Sequence, residues 1–193
     1  MFKEGITKYA PKITGTEVTV SAVDVAWFSG RAQLKDLVIG NPDGFRAPTA
    51  VEIPDATVAV QARSVLRKKL VIHSIEIERP FITYERQLSG SNLTDIQANI
   101  ESFVGRVKHH FGINGEPNPG PTGGKKLQVN ELVIRGAKVK LALTMLGGRG
   151  AKVTLPDIRL ENLGRDDEGM TGPELFDVVW KTVVKATLRL TDK

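Results

Sequence analysis

The sequence predicts a mainly β fold with helices, of the α+β class. The expected form is a curved antiparallel sheet of repeated bent strands, with amphipathic helices at the start, middle and end. Three observations predict it. First, three apolar residues recur at relative positions 1, 4 and 6, as in Val20–Val23–Val25, Leu34–Leu37–Ile39, Ile72–Ile75–Ile77, Val129–Leu132–Ile134 and Leu155–Ile158–Leu160. A weaker copy, Ile53–Ala56–Val58, carries alanine at its centre. The closing gap of two is strand spacing, whereas the opening gap of three breaks alternation, so each strand must bulge or change face there. Second, 40% of the 193 residues are hydrophobic but only 6% are aromatic, so the apolar surface is aliphatic and suits strands. Third, the apolar period lengthens to three and four in a few segments, which is the helical signature.

Taken in order, residues 2–10 read as a short helix stopped near Pro11. Residues 16–27 read as a strand, and the Ser29-Gly30 turn pairs it with 31–39 as a hairpin. Gly40 to Gly44 has strong turn chemistry. Strands follow at 56–62 and 70–78, with Pro80 predicting a break or an edge before Phe81. Leu93, Ile96, Ile100, Phe103, Val104 and Val107 define an amphipathic helix over 92–110, capped by Ser91 or Asn92. Residues 112–124 form an internal flexible Gly/Pro linker within a single domain spanning 1–193. Residues 126–135 and 137–145 are expected to form a hairpin around Gly136, then Gly147 to Gly150 turns the chain into a strand at 151–162. Thr171-Gly172-Pro173-Glu174 has the form of a capping box for a last helix, with Leu175, Val178, Val179, Val183 and Ala186 as its apolar face. Connections this short predict antiparallel pairing throughout.

The residues offer little for catalysis. There is no cysteine, which excludes disulfides, thiolate metal sites and thiol chemistry. His109 and His110 are adjacent and point about 100° apart on a helix, a poor shared metal site, and His73 stands apart. No serine sits in a nucleophile elbow. Gly123-Gly124-Lys125-Lys126 and Gly147 to Gly150 lack the phosphate-loop form and precede strands, so they read as turns. Asp166-Asp167-Glu168 reads as a solvated loop, and Asn92-Leu93-Thr94 matches a glycosylation acceptor only formally. The expectation is a protein without catalytic residues, metal site or cofactor. A net charge of +5 falls short of a nucleic-acid footprint but favours approach to an anionic surface. No run of 18 apolar residues is present, and the first five residues are not a signal peptide. Either the protein is cytoplasmic or a targeting segment is missing ahead of Met1.

Two sets of residues stand out as candidate sites. Val23, Val25, Leu37, Ile39, Ile75, Ile77, Leu132, Ile134, Ile158 and Leu160 would line the concave face of the curved sheet. They would either hold an acyl chain or form an ordinary core under the helices. Arg63, Arg67, Lys68 and Lys69 cluster between two strands, either as lipid-headgroup contacts or as a solvated turn that discourages edge association.

Several segments in order resemble the AsmA family of bacterial envelope proteins. They are Val18-Thr19-Val20-Ser21, Phe28-Ser29-Gly30, and Leu34 through Phe45 with its Gly40-Asn41-Pro42-Asp43-Gly44 loop. Ser64-Val65-Leu66, Val71 through Pro80, Tyr84-Glu85-Arg86 and Gly90-Ser91-Asn92-Leu93 follow. The likeness is to the amino-terminal AsmA module and covers roughly residues 13–100, about half the chain. It implies a periplasmic protein held in the inner membrane by an amino-terminal helix that these residues do not include. It further implies a β-groove that binds phospholipid or another acyl lipid and passes it toward the outer membrane, without catalytic residues. The larger relatives are far longer, so this chain is expected to bind lipid, to work as a homo-oligomer, or to serve as a structural or assembly protein of the envelope.

Overall fold

The computed structural model describes residues 2–26, 28–114, 125–143, 151–166 and 168–191. Most of the Gly/Pro linker, the 147–150 turn, Trp27, Asp167 and the side chains of His109 and His110 lie outside that description. The chain runs α1 (Phe2–Thr14), β1 (Val18–Thr19), β2 (Ala22–Ala26), β3 (Arg31–Gly40) and β4 (Thr49–Val60). A 3₁₀ turn (Ala62–Leu66) leads to β5 (Lys69–Glu78), β6 (Phe81–Gln87), β7 (Gly90–Ser91) and α2 (Asn92–Asn114). Then come β8 (Lys126–Arg135), β9 (Lys138–Leu143), β10 (Ala151–Thr154), β11 (Ile158–Leu163) and α3 (Gly172–Thr191). The strands join one strongly curled 11-stranded sheet, and the helices stand at the start, middle and end as the sequence predicts.

The long strands are bent, and the 1-4-6 spacing marks the bends. Lys35 pairs with Asp55 and Leu37 with Ile53, while Asp36 and Pro54 drop out of the ladder between them. Asp36 takes a φ of 49°, and Pro54 has no N–H to offer, so β3 and β4 change face together. A second bend crosses β5, β8 and β11. Ile72 pairs with Val129 and Ser74 with Glu131, leaving His73 and Asn130 unpaired. On β11, Asn162 is skipped in the same way and sits at a φ of 56°, which asparagine tolerates better than most residues. Each three-residue gap therefore keeps its flanking apolar residues on the concave face.

Pairing is not antiparallel throughout. β5 runs parallel to β8, and β6 runs parallel to β9. The crossover that a parallel pair needs is the segment containing α2, which lies between β7 and β8 in the chain. The expected hairpin around Gly136 is also absent. β9 continues the bent path of β8 and pairs with β6 and β10 instead. Gly136 supplies the bend with a φ of 61°, and Arg79, with a φ of 51°, supplies the matching bend between β5 and β6. Residues 151–162, read as one strand, are split into β10 and β11 by a break at 155–157.

α1 does not stop at Pro11 but runs through it to Thr14. Burial of Ile13, 6% exposed, offsets the lost hydrogen bond, and Gly15 (φ 71°) ends the helix by donating its N–H to the Pro11 carbonyl at 2.9 Å. α2 lays Leu93, Ile96 and Ile100 on the sheet with essentially no solvent exposure. Its first turn is capped by Ser91, whose Oγ accepts the Thr94 N–H at 3.3 Å. α3 starts with the expected reciprocal cap: Thr171 N–H donates to Glu174 Oε2 at 2.8 Å, and Glu174 N–H donates to Thr171 Oγ1 at 3.3 Å. Lys181 of α3 bridges Asp177 Oδ2 at 2.8 Å and Glu101 Oε1 of α2 at 3.1 Å. Those hydrogen bonds, Asp177 first, raise the Lys181 pKa; Gln97, then Lys181, lowers that of Glu101. The bridge is solvent-exposed and orients the two helices more than it stabilises them.

Candidate functional site

Residues paired across neighbouring strands point to the same face, so the register arranges the repeats into rows. One row runs Val23, Leu34, Ala56, Ile77, Ile134, Ile158. The next runs Val25, Ala32, Val58, Ile75, Leu132, Leu160. A third, Val18, Ile39, Val51, Ile82, Val139, Val153, crosses the other half of the sheet. The concave face is thus a continuous aliphatic surface, made by strand register from residues far apart in the chain.

The helices cover this surface unequally. α2 seals much of the half bearing the third row, where Ile39, Ile82 and Val139 are buried with Ile96 and Ile100 in one cluster. α3 packs against β8 and β11 but leaves a cavity of about 300 Å³ between itself and the sheet, lined mainly by the first two rows and at one end by Ile39, Val51 and Ile82 of the third. That volume lies at the lower end of the range of about 300–1,000 Å³ found for small-molecule sites. The sheet contributes Leu34, Leu37, Ile39, Ile53, Val58, Ile75, Ile77, Leu132, Ile134 and Ile158 among others, and α3 contributes Leu175, Phe176, Val179, Trp180 and Val183.

Exposure shows where the cavity opens. Leu132, Ile134 and Ile158, on the β8 and β11 side, are buried. Leu34, Leu37, Ile53, Val58, Ile75 and Ile77, on the β3, β4 and β5 side, are only half-buried. α3 therefore roofs one flank of a trough that faces water on the other. The one polar atom of the lining side chains is spoken for: Trp180 donates its indole N–H to the Leu93 carbonyl at 3.0 Å. Its ring tilts against Phe176, with centroids 5.8 Å apart. Such a surface cannot offer a solute hydrogen bonds, and it rewards apolar contact alone.

Most of the predicted lining residues meet here. Leu37, Ile39, Ile75, Ile77, Leu132, Ile134 and Ile158 line the cavity. Val23, Val25 and Leu160 do not; they extend its two rows toward the outer strands β2 and β11. Sequence reasoning missed Leu34, Ile53 and Val58, although each belongs to a copy of the repeat, and it missed Phe176 and Trp180 on α3. The basic residues do not reach the cavity. Arg63, Arg67 and Lys68 are exposed on and after the 3₁₀ turn, and Lys69 donates to the Asp166 carbonyl at 3.1 Å. No family model matches the sequence, and no curated protein matches it significantly.

Proposed function

We propose that this chain is an AsmA-like lipid-binding domain of the bacterial envelope, holding a phospholipid acyl chain between its curved sheet and α3. One observation carries the reading: an aliphatic trough of about 300 Å³, without an unpaired polar atom among its lining side chains, left half-exposed on its β3 side. Apolar surface in that position calls for a cover. An acyl chain laid along it would gain about 0.8 kcal/mol for each methylene removed from water. The resemblance to the AsmA module, on Gly40 to Phe45 and Gly90 to Leu93 among other segments, supports a periplasmic setting and an inner-membrane anchor. On this reading the domain binds lipid or passes it on, with no reaction of its own.

A second reading has a specific observation behind it. β1 and β2 pair only with β3, and β11 only with β8, among the described strands, so both margins of the sheet have a free edge. Free edges favour strand addition, by a further copy or by an envelope partner. Native mass spectrometry of gently purified protein, followed by lipid extraction, separates the two. The lipid reading predicts a stoichiometric phospholipid adduct that disappears in Ile77→Asp, where a carboxylate projects from the half-buried wall. A clean mass with no uptake of added phospholipid overturns it, and a defined oligomer without lipid favours assembly.

A further inference from the structure

The end of the sheet where β2 turns into β3 and the 3₁₀ turn joins β4 to β5 has a character of its own. Phe28 is wholly exposed, at 107%, and Leu66 is 93% exposed. Val65 beside it is 38% exposed. These two apolar points come from segments brought together by backbone: Val60 N–H donates to the Gly30 carbonyl at 2.7 Å, and Gly30 lies against Val60 and Ala62. A side chain at Gly30, φ 65°, would collide with the Val60 carbonyl, so this close approach depends on glycine. The Lys125 ammonium donates to the Val65 carbonyl and ties the 3₁₀ turn to the start of β8.

Cations flank Leu66 in the chain. Arg63, Arg67 and Lys68 are exposed and make no ion pair among the described residues. The nearby acidic loop meets this end through its backbone: Lys69 donates to the Asp166 main-chain carbonyl and packs with Lys126 against Gly169, and the Asp166 and Glu168 side chains stay exposed. Single exposed apolar residues are ordinary, but two protruding apolar tips at one end of the sheet, one of them flanked by three exposed cations, are a distinct chemical pattern. Water solvates such tips poorly. A neutral protein surface would leave the cations unanswered, and a duplex nucleic acid would leave the phenyl and isobutyl groups unused. An anionic bilayer answers both, with phosphates at the level of the guanidinium groups and acyl chains below them.

We infer that this end docks on an anionic phospholipid surface, with Phe28 and Leu66 entering the interface and Arg63, Arg67 and Lys68 contacting headgroups. The inference uses none of the groove residues, so it stands or falls apart from the lipid-binding reading. The test is flotation of the whole chain with phosphatidylcholine vesicles, with and without phosphatidylglycerol. The protein should float with the anionic vesicles at low salt and release as salt rises. Replacing Arg63, Arg67 and Lys68 together by Gln should weaken binding about a hundredfold, at roughly fivefold per charge. Phe28→Ser with Leu66→Ser should weaken it at least about tenfold. Both variants should melt like the parent, because none of the five side chains is packed. Ile77→Asp should float like the parent, which separates docking from groove occupancy. Failure to bind anionic vesicles, equal binding to neutral ones, or indifference to both sets of substitutions would overturn the inference. So would sedimentation showing that Phe28 and Leu66 mediate self-association in place of vesicle binding.

Discussion

Asn92 is fully buried, and its side chain joins three parts of the fold. Its amide carbonyl accepts the Glu85 N–H at 2.9 Å, and its NH2 group donates to the Thr83 carbonyl at 2.6 Å and to Asn41 Oδ1 at 2.8 Å. Glu85, also buried, accepts the N–H groups of Arg46 and Ala47 at 3.0–3.1 Å and so pins the loop after β3 onto β6. Two segments that carry the AsmA resemblance, 40–45 and 90–93, therefore meet through one hydrogen-bonded pair. The acceptor motif at Asn92 has no room for a glycan, since the nitrogen that would carry it is enclosed and bonded. We predict that Asn92→Ala costs about 3 kcal/mol, because it strands the buried Glu85 N–H and Thr83 carbonyl. A lower urea midpoint at unchanged slope would show this, and a loss below about 0.5 kcal/mol would contradict it. The sequence marks Asn92 as a helix-cap residue. It does not reveal a partner 51 positions away, because that contact is made by sheet register.

At the scale of elements, the bends were legible and the pairing was not. A gap of three between apolar residues forces a bulge or a change of face whatever the partner strand does, so Asp36, His73 and Asn130 fall where the spacing puts them. The direction of a neighbour is set by long-range topology. Nothing in 126–143 distinguishes a hairpin from two halves of a bent strand, and the parallel pairing to β5 and β6 was invisible for that reason. α3 was readable from its cap and its apolar face, but its stand-off from the sheet was not. That gap depends on how Leu175, Phe176 and Val179 meet the rows beneath. The cap is a prediction at this scale. Thr171→Ala should destabilise the protein by about 1 kcal/mol, through loss of the Oγ1 acceptor for Glu174 N–H. Amide exchange should quicken in the first turn of α3 ahead of α2. Uniform loosening of both helices would show that α3 is held by packing alone.

At the scale of the whole molecule, one sheet serves two purposes. The half under α2 is mostly sealed and supplies stability, and the half facing α3 is left partly open. Seven of the ten predicted lining residues meet at the cavity, because five of the six copies of the repeat deliver their second and third residues to the first two rows, whereas the Leu34 copy delivers its first. Val23, Val25 and Leu160 lie at its margins and do not line the cavity, since the reach of a helix across a sheet is not written in strand spacing. The basic cluster, read as possible headgroup contacts, lies at the end of the sheet and away from the trough. A lipid domain arranged this way would meet the bilayer at its tip and hold the acyl chain along its face.

Trp180 gives the most direct test of that arrangement. It lines the trough, is 5% exposed, and is one of two tryptophans in the chain. With Trp27→Phe to leave it as the sole emitter, the protein would be titrated with a phospholipid brominated on its acyl chain, dispersed as monomers. The account predicts saturable quenching of Trp180 that is lost in Ile77→Asp. Emission unchanged throughout the titration, or quenched equally in that variant, would contradict an acyl chain lying between the sheet and α3.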